Sequence, residues 1–318
     1  YNSLSANTTG AYNVSVGALA GDALTVGNSN VAVGYGSLRL NTTASNNTAV
    51  GTDSLRVNTT GAFNTGLGDS ALLANTTGNT NTAVGGRALQ TNTTGDRNTA
   101  VGFQSLALLN PSSNADMYNT GIGYNAGYAV TTGTNNTLIG GLAGDANTTG
   151  ANNTAVGKDA LGSNTTADAN TAFGYGSLRD NTTGSSNVGL GYLTLEENTT
   201  GGNNTAVGFQ TLEENTTASN NTGLGYFALR KNTTGTENTA VGMSSSTANT
   251  TGNYNASFGK GTLTTNTTGS QNTAIGTNSL QSATTANNNT GVGYYALQAN
   301  TTGSQNTAIG TNALDANT

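Results

Sequence analysis

A glycine returns every 17 residues along this chain, and that period constrains what it can fold into more than any other feature. It runs from Gly17 through Gly34, Gly51, Gly68 and Gly85 to Gly102. One step of 21 residues reaches Gly123, and the period then resumes through Gly157 and Gly208 to Gly276, Gly293 and Gly310. A chain of 318 residues would ordinarily hold about two domains, but a fixed internal period overrides that prior, because each repeat mainly contacts its neighbours. The expectation is one array over 1–318, about 18 coils of 17 residues with a 4-residue insertion near 107–119. Residues 1–10 and the last residues both fall mid-repeat, so the chain reads as a slice of a longer protein.

Counting the glycine as position 0, position 13 is Asn in every copy. These include Asn47, Asn64, Asn81, Asn98, Asn119, Asn136, Asn153, Asn204, Asn238 and Asn306. Position 14 is mostly Thr or Val, position 15 is small, and position 16 is a bulky hydrophobe such as Val207, Leu224 or Phe258. Thr-small-Val is period-2 alternation and predicts a short strand, with Thr and Val inward and the small residue on the opposite face. Position 4 is usually Leu, as at Leu38, Leu55, Leu72 and Leu212, and reads as a second short strand or extended arm facing the same interior. Asn-Thr-Thr-Gly or Asn-Thr-Thr-Ala follows and carries turn chemistry. Lys, Arg, Asp and Glu stand only at positions 1, 2, 5, 6, 11 and 12, apart from Asp116 in the insertion, so those positions should face water.

The fold class is therefore all-β, a parallel β-solenoid or β-roll of 17-residue coils. Strands stacked at about 4.8 Å would make a rod on the order of 85 Å long. Stacking sets each position-13 Asn above another, where the side-chain amides can form a ladder. The glycines, among them Gly51, Gly68, Gly85, Gly157, Gly208 and Gly276, serve as corners. One Val-type and one Leu-type side chain per coil make a thin core, which argues for several chains sharing an interior.

The phrase Asn204–Gly208, followed by an aromatic or polar pair, an apolar position and Asn-Thr-Thr, resembles the repeats of phage tail fibres and large bacterial surface fibres. Asn306–Gly310 repeats it. It is more distantly similar to the β-roll head repeat of trimeric autotransporter adhesins. This sequence departs from that head in its longer period and in Thr where the head prefers Val. The resemblance implies a homotrimer, placement outside the cell, on its surface or on a virion, and a role as fibre shaft.

Composition narrows the chemistry. The chain has no His and no Cys, 8% charged residues and a net charge of −6. Catalytic residues, metal ligands and cofactors are accordingly not expected. Lack of a basic patch argues against nucleic acid, and no apolar run is long enough to span a membrane. Glu196-Glu197 and Glu213-Glu214 stack one period apart and read as a solvated acidic patch rather than a glycosidase pair. Position 1 is aromatic at Tyr35, Phe103, Tyr124, Tyr175, Tyr192, Phe209, Tyr226 and Tyr294, a column that could stack on sugar rings, cover the rod or pack between chains.

Three functions follow from this reading: a fibre shaft associated with itself as a trimer or filament, a surface that binds cell-surface glycans, and a single-chain structural filament. Fourteen Asn-Thr-Thr sequons occur, but coils about 5 Å apart leave no room for a glycan on each. Ice binding would need a flat Thr face, whereas the reading above places Thr at turns or inward. Leu108 to Ser113, around Pro111, reads as a loop bulged out between coils. Gly127 and Gly144, standing where Leu is usual, predict a thinned core just beyond it.

Overall fold

The computed structural model describes residues 2–316. The chain divides into two compact units, Tyr1–Asp159 with Asn164–Thr166, and Ala160–Ser163 with Ala167–Thr318. Each is a parallel β-solenoid of 17-residue coils, and no helix occurs among the described residues. The first contains nine three-residue strands, from Val14–Val16 to Thr154–Val156, and the second nine, from Thr171–Phe173 to Thr307–Ile309. Inside each unit a strand pairs with its own copy one coil away, as Thr65↔Thr82 and Leu67↔Val84 in the first and Thr205↔Thr222 in the second. A 17-residue coil places identical residues in register, so side chains form columns.

The strand faces the opposite way from the one its hydrophobicity suggests. Position 15 points inward: Ala49, Ala83 and Ala206 are fully buried. Thr and the bulky hydrophobe flank it on the outer face, half-buried or exposed, with Leu224 at 46% and Ile275 at 42%. The physical reason is size. A Cβ added at Gly66 would lie 2.6 Å from Ser54 Oγ and 3.4 Å from Leu55 Cγ, so the inward side is crowded even for a methyl, which other coils seat as a fully buried Ala.

The interior also holds position 3 (Ser54, Ala88), position 4 (Leu55, Leu72), both Asn columns at positions 7 and 13, and position 10 (Ala44, Ala218). Each coil thus closes its own core, which removes the reason for several chains to share one. The Leu arm is not a strand. Positions 2, 4 and 12 adopt left-handed backbone, as at Ser70 (φ 57), Leu72 (φ 53) and Thr80 (φ 59). These bends cost about 1–2 kcal/mol each for L-residues and are offset by burying Leu and by coil-to-coil bonds such as Leu72 N–H to Ala88 O at 3.0 Å.

The Asn of Asn-Thr-Thr is an interior residue rather than a surface turn. Asn41, Asn58, Asn75 and Asn92 are fully buried. The insertion likewise does more than bulge outward. Ser112, Ser113 and Asn114 are exposed, but Leu109 fills the place of the position-7 Asn, and Pro111 and Met117 are buried with it. Ala115–Asp116 pairs in parallel with Gly95–Asp96, and Asp116 forms an ion pair with Arg97. The core beyond it is not thinned. Leu138 replaces the small residue at position 15, and a Cβ at Gly127 or Gly144 would meet its methyl carbons at 2.7 Å.

Candidate functional site

No cavity opens among the described residues, so the features that could act are columns. Position 13 makes the most regular one. Asn64 Oδ1 accepts the backbone N–H of Asn81 at 3.0 Å, and Asn64 Nδ2 donates to Gly78 O in the next coil at 2.7 Å. The same pattern joins Asn47 to Asn64, Asn81 to Asn98, Asn98 to Asn119, Asn119 to Asn136 and Asn136 to Asn153. In the second unit it runs through Asn204, Asn238 and Asn306. Direct amide-to-amide bonds add to it in some coils, as from Asn98 to Asn81 at 3.0 Å.

The position-7 column locks onto the same carbonyls. Gly78 O accepts from Asn64 of the preceding coil and from Asn75 of its own coil, while Asn75 Nδ2 also reaches Asn58 Oδ1 at 2.7 Å. Position 8 adds a third column, in which Thr59 and Thr76 hydroxyls donate to the carbonyl of the Thr one coil on, both at 3.0 Å. These groups are buried or part-buried and nearly all partnered, Asn266 Oδ1 and Asn300 Oδ1 being the exceptions in the position-7 column, which keeps burial from costing the roughly 1–3 kcal/mol of an unmade bond. Thirteen of the Asn-Thr-Thr sequons, Asn41 to Asn300, have this asparagine sealed inside, leaving no access for a glycan in the fold.

The glycines turn the chain at the strand ends with left-handed φ, from +110 at Gly276 through +130 at Gly51 and Gly85 to +136 at Gly68 and Gly157. Close approach excludes a side chain as well. A Cβ on Gly51 or Gly208 would lie 2.5 Å from the carbonyl oxygen of the next glycine.

The aromatic column stacks on itself. Tyr175, Tyr192, Phe209 and Tyr226 succeed one another with centroids 5.2–5.4 Å apart and planes within 15°. Phe103 and Tyr124 do the same at 6.0 Å. Within these runs the faces a sugar would use are taken up by neighbouring rings. Tyr35 is exposed, and Tyr294 packs against Tyr295 at 4.1 Å.

Position 5 carries an ion-pair column. Arg179 meets Glu196 at 2.5 Å, and Arg230 Nε meets Glu213 Oε2 at 2.6 Å. Glu213 is 8% exposed, so not every charged position faces water. Burial is the main influence raising the Glu196 carboxyl above its ordinary value, with Arg179 opposing it and Glu213 adding to it. Glu197 is also raised, by burial and then by Glu214. Among the described residues no group of His, Cys, Asp and Glu side chains converges as a metal site, and no helix is long and apolar enough to cross a membrane.

The inward position-15 column, the position-7 ladder and the outward Thr column escape a reading based on hydrophobic alternation. A signal for the second of these is present: where position 7 is not Asn it is Leu24, Leu109, Val130 or Ala283, replacements typical of an interior rather than a turn. No protein family, curated protein or solved structure matches this chain.

Proposed function

We propose that this chain is a structural spacer, the repeat shaft of an extracellular or virion fibre of the adhesin or tail-fibre kind, without chemistry of its own. The observation that carries this reading is the continuity of the columns inside each unit. Every regular coil is tied to the next by strand bonds, two Asn ladders and a Thr ladder, all in one register. Such a stack resists slippage, because moving one coil by a single residue breaks all the columns together.

The resemblance implies three chains. The closed interior supports a single-chain form, since no inward column is left unfilled. Glycan binding through the aromatic column is less supported, because the rings spend their faces on one another. Light scattering with small-angle X-ray scattering on the full chain tests the spacer. The expected result is one chain of 31.5 kDa with a rod-like profile. A compact or collapsed profile would overturn the spacer, and a mass three times larger would overturn the single-chain form.

A further inference from the structure

Because the strands turn position 15 inward, they present a face that the other columns do not explain. In the first unit, seven successive strands from Thr48–Val50 to Thr154–Val156 all begin with Thr and end with Val, Leu or Ile. They pair one to one throughout. The 21-residue coil leaves this face unbroken, since Thr99↔Thr120 and Val101↔Ile122 remain partners while the extra residues are absorbed elsewhere in the coil.

Two columns result, one of hydroxyl and methyl, one of aliphatic side chain. Neighbouring strands set a repeat of about 4.7–4.9 Å in one direction, and alternate residues along a strand set about 6.6–6.8 Å in the other.

The threonines of this face differ from those of position 8. Thr59, Thr76, Thr131 and Thr148 spend their hydroxyls on carbonyls of the next coil. The hydroxyls from Thr48 to Thr154 make no hydrogen bond to the described residues, and the side chains are half-exposed. No charged residue stands at positions 13 to 0 in any coil; charges begin just outside, at Arg97 on one flank and Asp69 and Lys158 on the other.

A partner must therefore be neutral, must accept and donate hydrogen bonds at every coil, and must repeat on the spacing of the columns. A charged polymer fails the first condition. A second copy on this face would bury a row of hydroxyls, each costing about 1–3 kcal/mol wherever it found no partner. Ordered water meets all three conditions. The Thr and aliphatic methyls restrict the orientation of first-layer water, the free hydroxyls anchor it, and the two repeats lie close to those of an ice prism face.

We propose that the Thr and aliphatic face of residues 48–156 binds ice. The second unit is the weaker surface, because Val188 and Ala256 interrupt its Thr column and Phe173 and Phe258 its aliphatic one.

The test uses the full chain, measured for thermal hysteresis and for partition into a growing ice hemisphere. The unaltered protein should separate melting from freezing and enter the ice. A Thr99→Tyr/Thr120→Tyr double variant places two rings on the face and should lose both properties. Thr60→Tyr, an exposed threonine at position 9, should keep them. Circular dichroism and thermal unfolding establish that all three proteins are folded.

Absence of hysteresis and partition in the unaltered chain would overturn the proposal, as would their survival in a folded double variant. Doubling of mass that the double variant abolishes, without ice activity, would assign the face to a second copy and equally overturn it. Uptake by insoluble cellulose without ice activity would do the same. A doubled mass would bear on the single-chain form of the shaft; none of these results bears on the spacer itself, which is judged by its scattering profile.

Discussion

Within the first unit, the coils from Gly51 to Gly102 and those from Gly102 to Gly157 solve one packing problem in two ways. The earlier coils are regular, with Leu at position 4, Asn at positions 7 and 13, and Ala or Gly at position 15. The later ones put Leu109 and Val130 at position 7, Gly127 and Gly144 at position 4, Leu138 at position 15, and accept four extra residues. Strand pairing does not change between them. What is held constant is therefore filled volume and partnered backbone, rather than residue identity. Position 13 alone keeps its Asn through both regions, because its amide serves backbone groups of the following coil that apolar volume cannot satisfy.

The sharpest way to break this comparison is to undo the exchange around Leu138. Leu138→Ala should cost about 2–5 kcal/mol, the usual loss for a buried leucine, seen as faster hydrogen exchange in the coils on either side. Gly144→Leu alone should also destabilise, because its Cβ would sit 2.7 Å from Leu138 Cδ2. Combined, they restore the regular pair at Leu138 and Gly144 while Gly127 keeps its glycine; Leu161 at the same position already adopts φ 55. The double variant should be more stable than either single one; simple additivity would mean that the two positions do not trade volume.

The Asn ladder sets the next largest effect. Asn81→Ala leaves the Asn98 backbone N–H and part of the Asn98 amide without partners, at about 1–3 kcal/mol for each buried group. Val130→Ala removes only methyl groups, at about 0.8 kcal/mol per carbon before any cavity term. Local opening energies from hydrogen exchange should rank Asn81→Ala as the worse, and the reverse order would demote the ladder to filler.

The smallest effect concerns backbone strain. Ser70 has φ 57 at position 2, where Gly36 stands in another coil with φ 65. Ser70→Gly should therefore stabilise by up to about 1 kcal/mol in chemical denaturation; a loss would show that left-handed strain is not what this position stores.

Much of the architecture is legible from residues alone. The period places strands and corners, the unvarying Asn column marks the ladder, and Thr-small-Val marks the strand. Which side of the strand faces inward is not legible from alternation, which has no sign. Val207 looks like a core residue because it is hydrophobic, yet position 16 accepts Val, Leu, Ile and Phe alike, a latitude of shape that belongs to a surface. Position 15 is held to Ala, Gly or Ser except at Leu138, a restriction of size that belongs to a crowded interior. The stacking of the aromatic faces was beyond reach, since it depends on ring orientation.

The central claim is this orientation, because both the filled interior of each coil and the outward Thr face depend on it. The chain contains no cysteine, so one introduced thiol reports on one position. Thr82→Cys, Ala83→Cys and Val84→Cys should be compared for reaction with a thiol reagent under native conditions. Cysteines at 82 and 84 should react readily and the one at 83 only as fast as the coil opens. Rapid reaction at 83 with protection at 82 and 84 would contradict the account.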